Sequence, residues 1–294
     1  MLRERLTVKS LEELLTRTSR TFAITIPYLP DMPRREVTLA YLLLRIADTL
    51  EDGTLWPMAD RARSLGELVE YLADPASVDA VALAIQWCDP PPCSNVEYLE
   101  LLGSFPQVVA EIQYLEPASS TIIFQHARRV ASGMASSLAN LPCDLDSLRQ
   151  YCYYVAGIVG ELITDLFLLR VNATVEQTAR LRELAVLFGE GLQLVNILKD
   201  VDADAREGRQ YLPTHLDKQE VFKLARRDLE AASEYTRLLQ AVHAPMGVVL
   251  FTAIPTAFAQ ATLLRIERYG PGAKLTRPEV VEIRNQVEAM LRQA

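Results

Sequence analysis

Between Arg34 and Leu50 the apolar residues Val37, Tyr41, Leu44 and Ala47 return every three to four positions, the spacing of a helix with one apolar face. Gly53 and Pro57 follow and close it, since glycine and proline end helices. The same period predicts shorter helices over 60–72 and 77–87. Longer ones are predicted over about 105–114, 117–139, 145–170, 176–204, 216–241, 245–269 and 278–292. Pro142 and the Asn172–Thr174 turn separate three of these, and Asp89-Pro90-Pro91-Pro92 reads as a loop. Near the start, Thr18-Ser19-Arg20 precedes an apolar stretch that stops at Pro27, Pro30 and Pro33. Valine and isoleucine are frequent, but no alternating pattern bounded by turns marks a strand. There is no solenoid repeat and no low-complexity linker. The pattern predicts one all-α domain over 1–294.

Residues 246–264 carry no charge and nearly reach the length of a bilayer span. They also contain Pro255, Gln260, Thr252, Thr256 and Thr262, a mixture that fits a helix buried on all sides. The N-terminus is charged and amphipathic, without the apolar core of a signal peptide. The chain has 294 residues, half of them hydrophobic and 23% charged. That is a folded composition, long enough for one large core. A net charge of -8 argues against the basic face of a nucleic-acid binder. It leaves room for an anionic substrate held to carboxylates through a shared cation. Cys88, Cys93, Cys143 and Cys152, with His126, His215 and His243, show no zinc-ligand spacing. Free thiols point to a reducing, cytoplasmic compartment.

Three segments carry candidate chemistry. In Arg45-Ile46-Ala47-Asp48-Thr49-Leu50-Glu51-Asp52, Asp48 and Asp52 are four apart and share a helix face. Two like charges there repel, and a hard divalent cation would offset the repulsion; a solvated acidic helix end is the alternative. In the second segment Asn196, Asp200 and Asp204 form an i, i+4, i+8 stripe, with Gln193 a turn earlier. Arg206, Arg209 and Tyr211 follow and suit diphosphate oxygens. The alternative is a surface ion-pair network. Two such segments in one helical chain fit paired acidic helices that bind metal ions and ionise an allylic diphosphate. A dry apolar pocket would then shelter the cation. The third segment, Tyr151 to Gly160, places small residues at 156, 157 and 160. Close helix packing and a flat channel wall, with Val155, Gly157 and Val159 against lipid, both explain it. A tyrosine here could move a proton or steady a cation.

Together these segments resemble the squalene/phytoene synthase family. The likeness runs through Ser19-Arg20-Thr21-Phe22-Ala23, Tyr41…Arg45…Asp48-Thr-Leu-Glu-Asp52, Tyr151-Cys-Tyr-Tyr-Val-Ala-Gly-Ile-Val-Gly160, Asn196-Ile-Leu-Lys-Asp200-Val-Asp-Ala-Asp204, Gly208-Arg209-Gln-Tyr-Leu-Pro213 and Ala253-Ile254-Pro255. It covers about four fifths of the chain.

The resemblance implies an isoprenoid-synthase helical bundle with a central apolar cavity. It implies two farnesyl diphosphates joined head to head through a cyclopropyl diphosphate, with Mg²⁺. By position, Asp48, Asp52, Asp200 and Asp204 match metal-binding aspartates, with Asn196 and Gln193 in the polar stripe. Ser19, Arg20, Thr21, Arg45 and Arg209 match diphosphate contacts. Tyr41 and Tyr151 match tyrosines near the reacting carbons, and Phe22 and Met134 match channel lining. The first motif is nearer the squalene-forming branch, which reduces the intermediate with NADPH. Lys274 and Arg277 are the candidate contacts for that cofactor's 2′-phosphate, in a chain without a GxGxxG loop. One departure is Ala203, where many members carry glutamate. No C-terminal membrane anchor is expected, and no protein partner; peripheral contact at the inner face of a membrane would release a C30 product. The alternatives are the same coupling without reduction, giving dehydrosqualene, hydroxysqualene or phytoene, and a non-catalytic helical scaffold.

Overall fold

The computed structural model describes residues 8–19, 21–206, 211–213 and 215–293. Those residues are helical, with no strand among them. Helices α1 (Val8–Thr18), α2 (Phe22–Thr25), α3 (Asp31–Glu51), α4 (Met58–Ala73), α5 (Ala80–Cys88), α6 (Val96–Gly103), α7 (Phe105–Gln113) and α8 (Pro117–Ala139) are followed by α9 (Leu145–Cys152) and α10 (Ile158–Leu168). Then come α11 (Val175–Arg206), α12 (Lys218–Ala241), α13 (Met246–Tyr269) and α14 (Arg277–Gln293). The bounds follow the sequence periodicity closely. Where the sequence suggests one domain, contacts gather in two compact units: 1–27 with 31–140, and 28–30 with 141–294.

In the first unit α3 is the central helix, packed by α1, α4, α6, α7 and α8. Its apolar stripe, including Leu39, Leu42, Leu43, Ile46 and Leu50, is fully buried. Burying a leucine-sized side chain is worth about 1.5–3 kcal/mol, so this stripe fixes which face of α3 turns away from the core. Around it the Phe105 ring lies 5.0 Å from both Tyr71 and Trp87. Local caps set the ends of the short helices. Asp79 accepts from Val81 N at the start of α5, and Asn95 accepts from Tyr98 N at the start of α6. The sequence reading left 96–103 without a helix. At eight residues it spans barely two turns, too short to be stable alone, and packing against α1, α3 and α5 holds it.

In the second unit α11, 32 residues long, is covered by α10, α12 and α13. The sequence reading drew one helix over 145–170. The structure instead interrupts it with a π turn at Tyr153–Gly157. The cause is close packing. A Cβ on Gly160 would overlap the Ala185 carbonyl, and one on Gly189 would overlap that of Ala156. The α10 and α11 backbones therefore touch where no side chain intervenes. Helix α13 is the apolar segment discussed above. It and Leu145–Leu168 are long and apolar enough to cross a membrane, yet 61% and 56% of their apolar windows are buried in the protein. Thr252 and Thr256 return hydroxyl hydrogen bonds to Val249 and Thr252 carbonyls, and Thr236 Oγ1 meets Thr252 Oγ1 at 3.2 Å. The polar groups of this apolar helix are thus satisfied internally.

Candidate active site

The first carboxylate pair stands at the C-terminal end of α3. Both residues are half-buried, and Asp52 N still donates to Asp48 O at 2.8 Å, so the last turn is helical. Arg45, one turn before, is gripped by its own helix. Its Nη1 lies 3.1 Å from Asp48 Oδ2, and Nε donates to Tyr41 Oη at 3.2 Å. Tyr41 Oη in turn donates to Thr18 O at 2.7 Å, tying α3 to the end of α1. Phe22 packs against the Tyr41 ring at 5.8 Å. Burial pushes the Asp48 carboxyl up to about 6; Arg45 pulls it back and Asp52 adds to the rise. Its side chain keeps 34% of its surface open, so water and ions reach it. Burial lowers the Arg45 affinity for its proton, but Asp48 and Tyr41 outweigh that and raise it.

Ser19 Oγ accepts from Phe22 N and Ala23 N, at 3.1 and 3.3 Å, and so starts the short α2. Thr21 is exposed beside it, and Met134 is buried on α8. Arg20 and Arg209 lie outside the described residues.

In the second unit Gln193, Asn196, Asp200 and Asp204 all belong to α11. Lys199 Nζ donates to Asn196 Oδ1 at 2.9 Å and pairs with Asp200 Oδ2 at 3.2 Å. Arg206 turns back to the Asp202 carbonyl at 3.0 Å. Tyr151 is buried and stacks on Tyr211, with centroids 4.7 Å apart and planes 16° from parallel. The loop after α13 is pinned to this end of α11, because Gly272 N donates to Lys199 O at 2.7 Å. That loop carries Lys274 and leads to Arg277 at the start of α14, both exposed. Val155 and Val159 are half-buried. Close packing accounts for Gly157 and Gly160. A Cβ on Gly157 would crowd the Tyr153 ring and Val186. Among the described residues, no group of three or more His, Cys, Asp or Glu side chains is placed to hold a metal. Each motif instead offers two carboxylates, the number Mg²⁺ commonly takes from protein when phosphate oxygens and water complete its shell.

A family model described as squalene/phytoene synthase matches residues 15–242. The chain belongs to the squalene/phytoene synthase family. Among curated relatives it is 30% identical over 199 residues to a Botryococcus braunii squalene synthase, covering 66% of this chain and 39% of that protein. The Saccharomyces cerevisiae squalene synthase is 30% identical over 215 residues, covering 70% and 46%. The Bos taurus squalene synthase is 30% identical over 220 residues, covering 74% and 49%. The matched stretch thus spans less than half of each of these relatives. The fold agrees with a solved TcSQS–ligand complex at a TM-score of 0.74, with 23% identity, 97% of this chain and 89% of that one. It also agrees with a dehydrosqualene synthase in complex with a ligand, at 0.61 and 18% identity, over 97% and 96%.

For a member of this family, two features were missed in the sequence. Tyr98 of α6 lies against Arg45, with Cζ 5.7 Å from its ring centroid; the only signal was Asn95, a cap residue three positions earlier. The second is a buried acidic cluster around Glu190 of α11 and Asp228 of α12, 4% and 0% exposed. Asp228 Oδ1 accepts from Arg227 Nε and Nη2 at 2.9 and 2.7 Å. Glu190 Oε2, Asp228 Oδ2 and Arg149 Nε are buried with no hydrogen-bond partner among the described residues. Burial pushes the Glu190 carboxyl up to about 7; Asp228 adds to the rise, while Arg149 and Arg227 oppose it. Asp228 is raised by burial against the pull of Arg227. Burial, then Glu190 and Asp228, push up the Cys152 thiol.

Proposed function

We propose that this chain joins two farnesyl diphosphates head to head through presqualene diphosphate and reduces the product with NADPH to squalene. The observation that carries the reading is the first motif, where an arginine and two carboxylates stand on one face of α3. An arginine alone would suit a bare anion, and a carboxylate pair alone a bare cation. Together they suit a diphosphate bridged to a divalent ion. The fit to Mg²⁺ rests on Asp48, whose raised carboxyl stands beside a second carboxylate and so gains from a nearby cation. Asp48 and Asp52 would hold the ion at this end, and Asn196, Asp200 and Asp204 at the end of α11. Bound there, Mg²⁺ supplies Lewis-acid neutralisation of the departing diphosphate.

The protein's own groups take the remaining roles. Arg45, with Ser19, Arg20, Thr21 and Arg209, receives diphosphate oxygens, and Gln193 and Tyr211 adjoin the second diphosphate. C1 of the first allylic cation bonds to the double bond of the second molecule. Proton loss then closes the cyclopropane, with Tyr151 assisting and Tyr41 near the reacting carbons. Phe22, Met134, Val155, Gly157 and Val159 keep water from the cation. Lys274 and Arg277 would hold the NADPH 2′-phosphate, and the bound cofactor would supply the hydride that ends a second ionisation and rearrangement. The apolar C30 product would leave at the inner face of a membrane.

Incubation with farnesyl diphosphate and Mg²⁺, with and without NADPH, tests this by hydrocarbon analysis. Squalene formed only with NADPH is the expected result. A C30 product made equally without NADPH would establish coupling without reduction. Turnover of geranylgeranyl diphosphate alone would overturn the substrate.

A further inference from the structure

We infer that Tyr98 is a positioning residue that, with Tyr41, clamps the Arg45 guanidinium against aromatic rings so that its Nη2 meets an anionic ligand. This rests on the reading of Arg45 as a diphosphate contact. The Arg45 Cζ lies 5.6 Å from the Tyr41 ring centroid and 5.7 Å from that of Tyr98. Tyr41 comes from the same helix and Tyr98 from another, so rings from two elements meet the guanidinium. Nε is taken by Tyr41 Oη and Nη1 by Asp48. Nη2 has no partner among the described residues, and the side chain keeps 27% of its surface open. With Nε and Nη1 engaged, Nη2 is the donor left to meet an anionic oxygen.

Tyr98 is itself held by the segment before it. Its backbone N–H is capped by Asn95 at 3.0 Å. The loop before it is fastened to the turn that follows Asp52. Leu55 N donates to Pro92 O at 3.0 Å, Trp56 Nε1 donates to Pro90 O at 2.8 Å, and a Cβ on Gly53 would stand 2.7 Å from Pro92 Cβ. The ring that clamps Arg45 is therefore anchored to the segment that bears the acidic pair.

Cation–π contacts strengthen as the pair is desolvated, so losing one ring should cost roughly tenfold. The test uses Tyr98→Phe, which keeps the ring, and Tyr98→Met and Tyr98→Leu, which keep apolar bulk without it. Each is made with Arg45 intact and in an Arg45→Met background, with circular dichroism confirming the fold. Steady-state turnover of farnesyl diphosphate and calorimetric binding of inorganic pyrophosphate, both with Mg²⁺, are measured. The expected result is a roughly tenfold loss in kcat/KM and in pyrophosphate affinity for Met and Leu, about wild-type values for Phe, and no further loss in the Arg45→Met background. Equal damage from Phe, or a loss that persists without Arg45, overturns the clamp. If the wild type binds pyrophosphate with this Arg45-dependent pattern but turns over no prenyl diphosphate, the clamp stands and the proposed reaction fails. No pyrophosphate binding by the wild type overturns the clamp as well.

Discussion

Replacing Glu190 with glutamine should stabilise this protein at neutral pH and leave it unchanged in acid. Glu190 is 4% exposed, with a carboxyl raised by burial and by Asp228 from 4.5 to about 7. A carboxyl that holds its proton more tightly in the folded state favours folding below its unfolded value. Between the two values the folded chain binds more protons than the unfolded one, so stability falls as pH rises through that window. The span is at most roughly 3 kcal/mol, at about 1.4 kcal/mol per unit. Asp228, raised by the same burial, acts in the same direction. The amide introduced at this position would carry no charge and could donate to Asp228 Oδ2, which has no partner among the described residues. Urea unfolding of wild type and Glu190→Gln at pH 5, 6, 7 and 8 measures this. The variant should gain progressively with pH, from just under about 1 kcal/mol at pH 5, slightly above the unfolded value, to on the order of 3 kcal/mol at pH 8. A variant that is equal or weaker at pH 8, or a difference independent of pH, would refute the assignment.

Asp48→Asn and Asp200→Asn should each abolish prenyl diphosphate ionisation while the helical circular-dichroism signal stays intact; wild-type turnover in either removes that residue from the proposed metal site. Gly189→Ala should cost several kcal/mol or prevent folding, because its Cβ would overlap the Ala156 carbonyl. Gly66→Ala, inside α4 with nothing within 4 Å of the new Cβ, should instead gain about 0.5–1 kcal/mol. Thermal unfolding of the pair reads both, and a similar effect for the two would contradict the packing argument. Tyr235→Phe should lose about 1 kcal/mol, since the buried Tyr235 hydroxyl meets Thr164 Oγ1 at 2.6 Å and its removal leaves Thr164 only the Gly160 carbonyl. Denaturant titration checks this, and an unchanged midpoint would sink it.

Periodicity by itself determined most of the helices, because each long helix buries a stripe that must recur at 3.6 residues. It also determined that Asp48 and Asp52, and Asn196, Asp200 and Asp204, share helix faces, since that is a property of one helix alone. The order of these motifs carried the family. Tertiary structure decided what distance along the chain hides. Tyr98 and Arg45 are 53 positions apart on different helices, and neither local spacing nor charge pairs a tyrosine with an arginine. Glu190 reads as one more glutamate on a long helix until α12 places Asp228 beside it. The π turn at Tyr153–Gly157 is likewise invisible locally, because the backbone it yields to lies on α11. A sequence displays what one helix presents, and only packing decides which helix meets it.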